Sequence, residues 1–234
     1  MVKSELIKRS PLRIFEKSIH GGLKPGQVGV LASKKGVGKT ACLVHIATDK
    51  LFNAKHVIHV SFSSKVDHIV TWYEDIFKEI AKKRELESAV DVHDDIIRNR
   101  VIMNFSQKGV SVGQIVKSLG AMIDEGHFAA DTLMIDGFDF TQAAIADLEK
   151  IREFAKEKNM TVWFSATLKG DEPQFDDTGF PVDLKDYDSC LDVVIGLKYK
   201  GDHVQLSLVK EGDTHRVSDM HLQLDPKTML IAQE

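Results

Sequence analysis

The chain has 234 residues, a formal net charge of −4, and 43% hydrophobic against 28% charged residues, which suits one soluble α/β domain spanning residues 1–234. The slight acidity excludes a global basic field that would draw the protein to nucleic acid or an anionic membrane, and no apolar run approaches the ~20 residues of a membrane span. Cys42 and Cys190 are too few for a disulfide framework, and the polar, basic residues 1–10 lack the apolar core of a signal peptide, so a cytoplasmic protein is expected.

Ser10-Pro11 reads as an N-cap followed by proline at the first helical position, with the helix ending at Gly21-Gly22. Residues 23–26 turn into a first strand, Gln27-Val28-Gly29-Val30-Leu31-Ala32. Residues 56–62 are a second strand, and Ile69, Trp72, Tyr73, Ile76, Phe77 and Ile80 give residues 66–83 a helical period. A polar stretch follows, then a strand at 100–105 and a helix at 112–124. A strand is expected at 132–136, a helix at 141–158 with Asp139 as its cap, and a strand at 160–165. Residues 169–189 are long, polar and without a period, hence a structureless loop. From Leu191 helices disappear, and residues 191–197, 203–209 and the stretches near Met220 and Met229 read as antiparallel strands extending one sheet edge. The alternation predicts an α/β fold with a mostly parallel sheet, helices on both faces, and C-terminal antiparallel strands.

Between the first strand and a helix beginning near Ala41 lies Ser33-Lys34-Lys35-Gly36-Val37-Gly38-Lys39-Thr40. This is the phosphate-binding loop pattern G-x-x-x-x-G-K-[ST], with Ser33 in place of the first glycine. Strand, loop and helix in that order aim backbone N–H groups and a helix N-terminus at phosphate. Gly36 and Gly38 permit the backbone angles, Lys39 reaches the β/γ-phosphates, and the Thr40 hydroxyl holds Mg²⁺. The binding set is Ser33, Lys34, Lys35, Gly36, Val37, Gly38, Lys39, Thr40 and Ala41. Leu133-Met134-Ile135-Asp136 is an apolar strand ending in an acid at the carboxyl edge of the sheet, the expected partner of Thr40 at Mg²⁺. ATP and Mg²⁺ are the expected ligands. No Cys/His spacing resembles another metal site.

Gly21-Gly22-Leu23-Lys24-Pro25-Gly26, the strand, the loop ending Gly38-Lys39-Thr40, and Val60-Ser61-Phe62 together resemble the RecA-like ATPases, in their KaiC/RadA and DnaB-helicase branches. The resemblance covers residues 11–213. It implies a RecA-like core and a homo-oligomer with nucleotide at subunit interfaces. Two departures stand out. The family places a water-activating glutamate where this chain has Ser63, followed by Ser64-Lys65. It places a Lys-x-Arg finger from the neighbouring subunit where this chain reads Lys210-Glu211-Gly212, so Lys210 either contacts γ-phosphate across an interface or is a solvated strand-end lysine. Losing a general base costs about 10²–10⁴-fold and an arginine finger about 10³–10⁵-fold. The expectation is therefore an ATP-binding regulatory or assembly protein with weak or absent hydrolysis. The alternatives are an active DNA-dependent ATPase of the recombinase or helicase type, and a ParA/MinD-type partitioning ATPase, which Lys34 suggests. Direct DNA contact is disfavoured: the loop Ser106-Gln107-Lys108-Gly109-Val110-Ser111 carries one lysine, and residues 169–189 carry seven acids against Lys169 and Lys185. That acidic segment could dock a basic protein partner.

Overall fold

The computed structural model describes residues 10–63, 67–83, 89–106 and 109–234. Residues 1–9, Ser64, Lys65 and the expected helix start at Val66, and Gln107 and Lys108 lie outside the described residues.

Among the described residues nine strands form one sheet: β1 (Val28–Ser33), β2 (Val57–Ser61), β3 (Arg100–Asn104), β4 (Thr132–Asp136), β5 (Thr161–Thr167), β6 (Val193–Lys200), β7 (His203–Glu211), β8 (Thr214–Leu224) and β9 (Ile231–Gln233). Their order is β3-β2-β4-β5-β1-β6-β7-β8-β9. Pairing is parallel from β3 through to β6 and antiparallel from β6 to β9. The expected α/β fold with C-terminal antiparallel strands is present, with one change. Strand β6 runs parallel to β1, because the chain between β5 and β6 crosses back to the amino edge before β6 starts.

Helices α1 (Leu12–Ser18), α2 (Lys39–Phe52), α3 (His68–Lys83) and α4 (Ala89–Arg98) pack on one face of the sheet. On the other face lie α5 (Val112–Gly120), which ends in a π turn over Ala121–Glu125, and α6 (Ile145–Glu157). The arrangement follows from crossover handedness. The steps β1 to β2 and β2 to β3 go one way along the sheet, and the later steps go back, so right-handed connections put the two groups on opposite faces. Helix α2 is buried nearly all round, against the sheet on one side and α1, α3 and the C-terminal strands on the other, which explains its unbroken run from Ala41 to Ala47. Gly29 on β1 lets the Trp163 ring of β5 lie across it: a Cβ there would meet that ring at 2.5 Å.

Several expectations are corrected. Helix α4 lies in the stretch read only as polar. Its buried Val92 and Ile96 are one turn apart, a two-residue signal masked by surrounding acids. Helix α6 starts at Ile145 rather than Thr141, and Asp139 instead organises the preceding turn by accepting from the Thr141 N–H and hydroxyl at 2.9 and 2.7 Å. The cap-like contact of α6 is made by Asp147, which accepts from Ala144 N–H at 3.0 Å. Residues 169–189 are not structureless. Val182–Cys190 forms a 3₁₀ stretch that buries Leu184 and Tyr187, and Phe180 is buried just before it. The Tyr187 hydroxyl lies 2.6 Å from both Phe140 O and Ala143 O, and Asp183 accepts from Lys169 N–H at 2.7 Å. Among the described residues no helix is long and apolar enough to cross a membrane.

Candidate functional site

The carboxyl ends of β2, β4, β5 and β1 stand side by side, and the polar residues singled out from sequence gather there. Ser33 is the last residue of β1, and α2 starts at Lys39, so residues 34–38 turn the chain from strand to helix. Gly36 and Gly38 have φ of +82° and +116°, the left-handed region where a side chain is strained. Their surroundings differ. A Cβ on Gly36 would point into open space, whereas one on Gly38 would overlap Leu224 of β8. Lys34, Lys35 and Gly36 are exposed, and Val37 is buried. The amides of residues 36–41 donate to no protein acceptor among the described residues; those of 39–41 open α2, where no preceding turn can accept them. Unsatisfied donors at a helix N-terminus form an anion receptor.

Lys39 is only 7% exposed. Its ammonium donates to Ser33 O at 3.0 Å, Lys34 O at 2.9 Å and Ser33 Oγ at 3.3 Å. All three acceptors are neutral. Burial pushes its pKa down from the usual 10.5 to about 8, against the upward pull of Asp136 and Cys42 nearby. Cys42, one turn on, is fully buried, and burial pushes its thiol up to about 12.

Asp136 ends β4, two strands from β1. The Thr40 hydroxyl donates to its two carboxylate oxygens at 3.2 and 3.0 Å, closing the space between loop and strand. Ser165 of β5, the strand between them, donates to Asp136 Oδ1 at 2.6 Å and accepts from Gly137 N–H at 2.9 Å. Sequence reasoning assigned Ser165 no site role. A serine near a strand end carries no signal until the strand order puts β5 between the loop and the acid. A hydroxyl oxygen beside two carboxylate oxygens is a hard, all-oxygen donor set of the kind Mg²⁺ takes, so Thr40 and Asp136 fit that ion.

Ser63 lies just beyond β2, whose last residue Ser61 pairs with Asp136. Its N–H donates to Ser61 Oγ at 3.1 Å and its carbonyl accepts from Asn104 at 3.1 Å. Ser63 thus shares the carboxyl edge with Asp136. Beneath it on β2, His59 is fully buried, 3.1 Å from the Tyr73 hydroxyl, with the Arg100 guanidinium 4.2 Å above the Tyr73 ring. Burial pushes His59 down to about 4.

Lys210 sits elsewhere. It is 4% exposed on β7 and turns inward, donating to Asp188 Oδ1 at 2.6 Å. His215, its register partner on β8, also meets Asp188 Oδ1, at 2.8 Å. Lys210 is therefore not a solvated strand-end lysine; it fastens the 3₁₀ stretch to the β7–β8 hairpin.

No protein-family model matches the chain, and no curated protein matches its sequence.

Proposed function

We propose that this protein binds ATP·Mg²⁺ at the carboxyl edge of β1 and β4, within a RecA-like core. The observation that carries the reading is Lys39: a buried ammonium whose acceptors are all neutral, at the mouth of a loop with six amides that meet no protein acceptor among the described residues. A buried charge is costly unless compensated, and a triphosphate brings the compensating charge. The amides of residues 36–41 and Lys39 would hold the β- and γ-phosphates. Thr40 and Asp136 would hold Mg²⁺, with Ser165 fixing the Asp136 carboxylate. When bound, Mg²⁺ supplies charge neutralisation between phosphate oxygens.

In this reading hydrolysis is slow. Serine stands at 63, where the resemblance calls for a glutamate, and a hydroxyl is no base near neutral pH. Gly212 replaces the finger arginine, and Lys210 is tied to Asp188. Occupancy of the loop rather than turnover would carry the signal, biasing self-association or another two-state element. Direct binding of a nucleic-acid backbone is not part of the proposal, since Asp171, Glu172, Asp177 and Asp186 keep residues 169–189 negative at the surface.

The test is a single turnover. Protein in excess over labelled ATP and Mg²⁺ is followed for hours, scoring bound nucleotide and ADP. Retention of intact ATP supports the reading. Conversion at about one per minute or faster, comparable to a P-loop GTPase that carries its arginine in cis, contradicts the claim of vestigial hydrolysis.

A further inference from the structure

An ammonium group has three N–H donors, and all three of Lys39 are occupied by oxygens of the loop's own first two residues. Two of those oxygens are backbone carbonyls that any residue would provide. The third is the Ser33 hydroxyl, which exists only because serine stands where the motif has glycine. The hydroxyl's own proton goes to Lys34 O at 3.1 Å, leaving its lone pairs for Lys39. Ser33 Oγ, Lys34 O and the Lys39 ammonium thus close a small ring. Ser33 is 3% exposed, so solvent does not compete for these bonds, and its φ is not in the left-handed region, so glycine is not needed there.

We propose that the Ser33 hydroxyl is a clasp: it saturates Lys39 in the empty loop, so that an incoming polyphosphate must break a bond before Lys39 can bind it. With glycine at 33, one N–H of Lys39 would be free to meet phosphate. Serine raises the nucleotide concentration at which the loop fills, which suits a sensor of high nucleotide concentration. The inference rests on reading residues 33–40 as the nucleotide site. Ser33 acts through Lys39 and is a positioning residue.

The experiment compares equilibrium affinities of wild type, Ser33→Gly, Ser33→Ala and Lys39→Ala for ATP·Mg²⁺ and for AMP, with thermal melts to confirm folding. Alanine removes the hydroxyl without adding backbone freedom, so the two Ser33 variants check each other. Both are expected to bind ATP about three- to tenfold more tightly than wild type, the net worth of an ordinary hydrogen bond, since at 3.3 Å this one is long. AMP, which lacks the phosphates Lys39 reaches, is expected to show no gain. A merely structural serine would give the opposite sign, since its loss would loosen the loop. Equal or weaker ATP binding by both folded Ser33 variants would overturn the clasp while leaving the site intact. Absence of Lys39-dependent binding in every folded variant would overturn the site reading and the clasp with it.

Discussion

The two halves of the sheet each bury a lysine, and treat it differently. In the antiparallel half, Lys210 meets the Asp188 carboxylate directly, with His215 on the same oxygen. The charge is matched within the fold, and the pair joins the 3₁₀ stretch to the hairpin. In the parallel half, Lys39 is nearly as buried but has only carbonyls and a hydroxyl, and burial takes its pKa down to about 8. Packing alone would favour an apolar residue at 39. A buried charge bonded directly to a carboxylate belongs to the structure, whereas one whose acceptors are all neutral leaves room for a ligand that brings charge.

The largest effects should separate these two lysines. Lys39→Ala is expected to weaken ATP binding by about 100-fold or more, the loss of several charge-assisted contacts, while leaving stability unchanged or raised. Lys210→Ala should do the reverse: nucleotide affinity within about twofold of wild type, and a cost of about 2 kcal/mol in chemical denaturation, discounted because Asp188 is partly exposed. Equal effects of the two variants on binding would erase the distinction.

The loop glycines sharpen it next. Gly38→Ala must strain a left-handed backbone and displace Leu224, and should cost about 2–3 kcal/mol. Gly36→Ala meets open space and should cost about 1 kcal/mol, the backbone penalty alone. Denaturant melts of the two variants check the difference.

Acidity gives a test of opposite signs. The folded pKa of Lys39 lies below its unfolded value, so between about pH 8 and 10.5 the unfolded chain holds more protons. This group therefore makes the fold more stable as pH rises through that window. ATP binding needs the charged form, so affinity should be flat below pH 8 and fall about tenfold per unit above it. A titration by calorimetry, with Lys39→Ala showing neither trend, measures both. An effect as small as that of Gly36→Ala is expected at the anchor of the 3₁₀ stretch, where Tyr187→Phe removes the hydroxyl beside Phe140 O and Ala143 O and should cost about 1 kcal/mol without changing ATP affinity.

Those same features show what was legible in the sequence. The runs Val57–Ser61, Thr132–Asp136 and Thr161–Thr167 are apolar because they are covered on both faces, and that marked them as parallel strands. The loop was readable because glycine, lysine and threonine fall at fixed offsets between a strand and a helix. Residues 169–189 were not readable, since Phe180, Leu184 and Tyr187 are sparse among acids and their partners lie far away in the chain. Asp188 looked like surface charge until the β7–β8 hairpin brought Lys210 and His215 to it. Helix α4 was lost because the single pair Val92 and Ile96, one turn apart, is too short a signal among charges. Ser165 and the direction of β6 depend on strand order, which no local pattern encodes.

The most direct measurement is equilibrium binding of ATP·Mg²⁺ to wild type, Lys39→Ala and Lys210→Ala under one set of conditions near neutral pH. Saturable binding by wild type and Lys210→Ala, lost in Lys39→Ala, is the predicted result. Binding that survives in folded Lys39→Ala, or that fails in folded wild type, would contradict the claim that this buried lysine awaits phosphate.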